Sequence, residues 1–133
     1  MNEANLNAVC AALLFMAEKY RQIVSRADIF DDGELSDRAT TTERDARRIA
    51  STIASDGLTN ATDAEMATTA LLAFADNMNT HMQILMGRHQ VQDAALVEHR
   101  IREVYAAAQA VSVVARGLTL PESAANVPAT AAN

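Results

Sequence analysis

The sequence predicts an all-α protein: a helical bundle of about four helices, three long and one short, with a loose C-terminal tail. Composition is the first reason, because the apolar residues are mostly Ala, Leu, Val and Met, and aromatic residues make up only 4% of the chain. Such a composition favours helix over sheet. The second reason is that no proline precedes Pro121, so the strongest helix breaker is missing until there. We expect one bundle domain in residues 1–118 and a flexible or extended tail in residues 119–133.

The first two helices differ in their predicted length. Helix one is predicted over residues 5–27, where apolar residues recur at spacings of three and four. Around residues 13–16 these residues surround the helix, so it is either central in the bundle or shares a face with another chain. The polar segment 28–38 is predicted as a loop. The short helix two then begins at Thr40, which has capping-box spacing to Glu43, and it ends at Gly57.

The last two helices are predicted to be long, antiparallel neighbours. Helix three begins at a second capping box, formed by Thr62 and Glu65, and ends or bends at Gly87. Helix four covers residues 91–116 and is followed by Gly117. The link between the two helices is short, which is typical of antiparallel packing. Helical periodicity disappears from residue 119 on, which predicts the tail.

Charge and cysteine content narrow the classes of partner and compartment. The formal charge is −6 and the pI is about 4.9, which argues against nucleic acid as a partner. Cys10 is the single cysteine, and we interpret it as a small buried apolar residue. The apolar run 8–17 has no basic residue before it and is too short to span a bilayer. We therefore expect a cytoplasmic protein without a membrane segment.

No catalytic, metal or cofactor motif is found in the sequence. Residues 28–36 have part of the spacing of a calcium-binding loop, but Phe30 and Ala39 occupy positions where oxygen ligands are needed. The histidines do not form the helical pairs typical of zinc or di-iron sites. Nucleophile elbows, phosphate loops and dinucleotide fingerprints are absent as well. We expect no metal, no cofactor and no enzymatic activity.

Two sets of residues are candidates for binding a protein partner. Arg44, Arg47 and Arg48 share one face of helix two and form either a docking patch for an acidic partner or a solvated face paired with nearby acids. Leu14 and Phe15 are consecutive, so they point about 100° apart around helix one. Both cannot be buried on the same side, which predicts a homodimer or larger assembly through this helix.

These features predict a non-enzymatic protein–protein interaction module: an adaptor, chaperone, inhibitor or structural component that presents a helical surface. The alternative is a small-molecule-binding regulatory bundle. It is based on Asn77 and His81, which lie one turn apart beside the apolar stripe of helix three. This pair forms either a buried polar contact or part of a small pocket.

Overall fold

The computed structural model describes the backbone of residues 1–131 and the side chains of residues 1–118. It contains four α-helices: α1 (Glu3–Ile29), α2 (Gly33–Asp56), α3 (Ala61–Gly87) and α4 (Val91–Ala131). No strand occurs in the described backbone. The prediction of an all-α bundle of about four helices is therefore confirmed.

The link between α1 and α2 is shorter than the sequence predicted, because most of segment 28–38 is helical. The Asp32 side chain caps α2 by accepting a hydrogen bond from the backbone N–H of Leu35 at 3.1 Å. The Ser36 hydroxyl donates to the Asp28 carboxylate at 3.1 Å and ties the two helix ends together. Thr40 consequently lies inside α2, and the helix predicted to be short has 24 residues.

The link between α2 and α3 agrees with the sequence at one end and differs at the other. Gly57 ends α2 as predicted, with a φ of +69° and its N–H donating to the Ile53 carbonyl at 2.9 Å. The cap of α3 is Asn60 rather than Thr62. Its side chain accepts a hydrogen bond from the backbone N–H of Asp63 at 2.8 Å. Asn60 and Thr62 are both residue types that cap helices, and Asn60 is the one that ends the extended segment before α3.

Helix α4 passes the point where the sequence predicted its end. Gly117 lies within the helix, whereas Gly87 is the last residue of α3 as predicted. The predicted tail, residues 119–133, lies outside the part of the chain whose side chains are described, and its boundary stays a prediction.

The bundle consists of two antiparallel hairpins, α1–α2 and α3–α4, that meet through α1. Helix α1 packs against all three other helices, whereas α2 packs on α1 and touches α3 narrowly. Of the two alternatives predicted for helix one, a central position is therefore confirmed. The largest fully buried side chains are Val9, Leu13, Ile49, Ile53, Leu71 and Val111.

Alanine lets these helices approach closely. Fully buried alanines occur on every helix, among them Ala12, Ala46, Ala67, Ala70 and Ala107. None of the helices in the described part of the chain combines the length and apolar character that crossing a membrane requires.

The turn end of the α3–α4 hairpin lies outside the main core. That core, with the side chains packed on it, extends to Met78 on α3 and begins at Val104 on α4. Helix α3 continues from Met78 for about 13 Å, at 1.5 Å per residue, before it ends at Gly87. We call residues 79–98 the hairpin tip. Within it Leu85 and Ala94 are buried, and most other side chains are exposed.

Candidate interaction surface

An open groove of about 550 Å³ lies between α3 and α4 where the hairpin tip begins. Leu85 and Val97 are its more buried apolar residues, and Leu96 stands on it with 67% of its surface exposed. The groove is lined by Asn77, Met78, His81 and Leu85 of α3 and by Asp93, Leu96, Val97, His99 and Arg100 of α4. It combines an apolar centre with polar and charged edges.

Helical spacing explains why these residues meet. Asn77, His81 and Leu85 are four apart on α3, so they share one face of that helix. On α4, Asp93, Leu96 and Arg100 recur at spacings of three and four. The structure places Asn77 and His81 together on the groove wall with both side chains exposed, so they do not form the buried polar contact.

The groove continues a surface that α1 already occupies. Next to it lies a cleft of about 390 Å³ in which Ala4, Ala8 and Ala11 of α1 face the same hairpin. Met78 and Arg100 line both the cleft and the groove. Helix α1 thus covers one face of the α3–α4 hairpin along part of its length, whereas no other described part of the chain covers the groove.

Two charged residues of the groove form no salt bridge with the described side chains. On α4, Arg102 binds Glu98 at 2.9 Å, and His99, which also lines the groove, lies 3.1 Å from Glu103. Among the residues whose side chains are described, Asp93 and Arg100 make no salt bridge within 4.0 Å. They are seven residues apart on α4, which corresponds to about 10 Å along the helix and is too far for them to pair with each other.

The arginine cluster of α2 is largely engaged within the chain. Arg48 donates two hydrogen bonds to the Asp63 carboxylate, at 2.8 and 3.1 Å. Arg47 binds Glu43 at 2.9 Å and lies 4.0 Å from Glu18. Of the three predicted docking residues, Arg44 keeps an exposed side chain on α2 without such a bond among the described contacts.

Asp63 is a structural residue that the sequence did not single out. It is the one buried charged residue among the described side chains, and it lies in the first turn of α3. The hydrogen bonds from Arg48 lower the pKa of Asp63 below its ordinary value, against the effect of burial, which raises it. The same bonds raise the pKa of Arg48. The Asn60-to-Asp63 spacing marks the helix start, but nothing local identifies Arg48 as the partner.

The two candidates on α1 have different surroundings. Phe15 packs against Phe74 of α3 with ring centroids 5.2 Å apart, and the Lys19 ammonium lies 5.4 Å from the Phe15 ring centre. Leu14 is 48% exposed. On the same side of α1, Glu18 accepts a hydrogen bond from Arg21 at 2.9 Å, so Leu14 stands beside charged groups. An assembly through this helix stays a prediction.

In the part of the chain that the structure describes, the side chains form neither a metal site nor a site that activates a thiol. No group of three or more His, Cys, Asp or Glu side chains is placed to hold a metal ion there. Cys10 is half-buried, and its thiol contacts the Ala50 carbonyl oxygen at 3.5 Å. Burial raises the pKa of this thiol, which opposes formation of the nucleophilic thiolate.

Comparison of the chain with protein-family models, with curated proteins and with solved structures finds no match. The function is therefore inferred from the surface of the chain itself.

Proposed function

We propose that the protein is a non-enzymatic protein–protein interaction module and that its binding surface is the groove at the α3–α4 hairpin. The observation that carries this proposal is the continuity of the groove with the cleft of α1. The face that receives Ala4, Ala8 and Ala11 continues past Met78 into the groove, where α3 and α4 alone form the lining among the described side chains. A second helix laid there would extend a packing arrangement that the fold already uses.

The exposed Leu96 supports this proposal energetically. Full burial of a leucine side chain contributes about 1.5–3 kcal/mol, and most of that is unused while Leu96 is 67% exposed. Leu85 and Val97 line the same groove and provide an apolar surface against which Leu96 and a bound partner can pack. Such a centre with a polar edge is the usual anatomy of a protein interface. A cytoplasmic location remains a prediction of the sequence.

Substitution of Leu96 tests the proposal. Affinity capture from cells should recover proteins with the natural chain that are lost with Leu96→Asp. Val113→Asp is the matched control, because Val113 is also exposed on α4, at 65%, and does not line the groove. Circular dichroism should show the same helicity for both variants. If the two variants capture the same set of proteins, the groove is not the binding surface.

A small-molecule-binding regulator is the second candidate, and the lining of the groove is the observation that favours it. The Asn77 amide, the His81 imidazole and the Arg100 guanidinium border an apolar centre, which suits a small ligand with an acidic or polar end. Screening small carboxylic acids by thermal shift tests this function. A stabilising ligand whose effect is lost in Asn77→Ala and in His81→Ala would favour it, and the absence of any such ligand would count against it.

A further inference from the structure

We propose that the partner filling the groove is a second copy of this chain. In this homodimer the two α4 helices pack antiparallel about a two-fold axis that passes between positions 96 and 97. The inference rests on the proposed function and names the occupant of the same surface.

The pattern of charge on α4 is the first argument. In an antiparallel pair centred between positions 96 and 97, each residue faces the one equally far on the other side of the centre. Asp93 of one copy then faces Arg100 of the other, and the symmetry repeats the pair. Two intermolecular salt bridges form from residues that both line the groove.

The second argument is that Asp93 and Arg100 form no salt bridge with the described side chains of their own chain. The neighbouring charges of α4 pair within the helix, Glu98 with Arg102 and Glu103 with His99. Asp93 and Arg100 make no such bond among the described side chains. A parallel arrangement of two α4 helices would place like charges opposite each other, which is destabilising. The charge pattern therefore selects the antiparallel arrangement.

The apolar residues at the centre agree with the same axis. Leu96 and Val97 lie on either side of it, so Leu96 of each copy faces Val97 of the other and enters the groove beside Leu85. Both exposed leucines become buried in one contact. A two-fold contact of this kind closes on itself and stops at a dimer.

Sedimentation equilibrium tests the dimer over about 1 μM to about 1 mM, a range that covers weak to moderate affinity. The mass should rise with concentration from 14.3 kDa towards twice that value. Asp93→Arg and Arg100→Asp should each raise the dissociation constant by about tenfold or more. The double variant, which exchanges the charges, should restore it to within about threefold of the natural value.

Matched controls separate the interface from folding and from general surface charge. Asp76→Arg makes the same charge change as Asp93→Arg on an exposed part of α3 that does not line the groove, and it should leave the dissociation constant unchanged. Leu96→Ala should raise that constant by about 10- to 100-fold, whereas Val113→Ala should not change it. Circular dichroism confirms that each variant is folded.

Three results would overturn the inference: a natural chain that is monomeric throughout the range, a dimer that neither single charge variant weakens, or a double variant that shows no rescue. A dimer weakened by Leu14→Ala instead would place the interface on α1. The proposed function would survive each of these results if affinity capture still recovered proteins that bind the natural chain and are lost with Leu96→Asp. A charge-dependent dimer without such proteins would make self-association the whole function of the groove.

Discussion

Removing the Arg48 guanidinium should destabilise the fold measurably, because it joins the two hairpins. Arg48 on α2 and Asp63 on α3 form the one salt bridge between these helices among the described side chains, and the helices otherwise meet narrowly. Arg48→Met is the informative change, since methionine keeps an unbranched apolar stem and loses both hydrogen-bond donors.

The magnitude follows from the exposure of the two partners. The Arg48 side chain is 49% exposed, and an exposed ion pair contributes about 0.2–1 kcal/mol. The Asp63 side chain is only 11% exposed, and hydrogen bonds to a charged, desolvated group contribute about 1.5–3 kcal/mol. Because one partner is half-exposed and the other is buried, the contribution of the pair lies between these two ranges. Arg48→Met should therefore lower the free energy of unfolding by about 1–2 kcal/mol.

Urea unfolding followed by circular dichroism at neutral pH measures this loss. Arg47→Met is the matched control, because Arg47 is exposed to a similar extent and pairs mainly with Glu43 of its own helix, while Glu18 of α1 lies 4.0 Å away. The control should lose less than about 0.5 kcal/mol. If Arg48→Met lost no more than the control, the stability of the buried Asp63 carboxylate would not depend on Arg48.

The same pair predicts how the loss depends on pH. The hydrogen bonds from Arg48 hold the folded-state pKa of Asp63 below its ordinary value of 3.8. The contribution is therefore complete above the unfolded-state pKa and disappears as the pH falls through the lower, folded-state value. The difference between the natural chain and Arg48→Met should stay constant from about pH 7 to about pH 5 and shrink below pH 3.8. An undiminished difference near pH 2 would show that the stability difference does not depend on the charge of Asp63.

Two further pairs of substitutions test the backbone and the core. Gly57→Ala should cost about 1–3 kcal/mol, because a φ of +69° with a ψ of −164° is nearly restricted to glycine. Gly117 lies within α4 with no atom near an added Cβ, so Gly117→Ala should stabilise the fold by about 0.5–1 kcal/mol. The two glycine variants should therefore shift thermal unfolding in opposite directions, and shifts of the same sign would contradict these assignments. Leu13→Ala should cost about 3–5 kcal/mol because Leu13 is fully buried. The half-exposed Leu14 should cost about 1 kcal/mol or less in the same substitution, and a larger loss in urea unfolding would show that an assembly buries it.

The sequence was sufficient for those parts of the fold that depend on local properties. The recurrence of apolar residues every three or four positions determines which face of a helix is buried, and it identified α3 and most of α1. Gly57 was identified as a helix end because a positive φ costs glycine little. These properties need no knowledge of what packs against the helix.

Helix starts were less accessible to the sequence. Polar residues such as those of segment 28–38 suit both a loop and the exposed face of a helix. Asp32 and Asn60 cap α2 and α3 here, although Thr40 and Thr62 also had capping spacing. A helix extends as far as its neighbour supports it, so the choice between adjacent caps depends on packing.

The residues of the groove also divide into those that the sequence singled out and those that only the fold identifies. Asn77 and His81 were singled out because their one-turn spacing beside an apolar stripe is visible in the sequence. Asp93, Leu96 and Arg100 were not, because α1 decides which face of α4 stays uncovered. The sequence left Arg48 as either a docking residue or a residue paired with a nearby acid, and the fold places Asp63, fifteen residues away, against it. Periodicity belongs to a single helix, whereas exposure and ion pairing depend on where two helices cross, and only the tertiary structure specifies that.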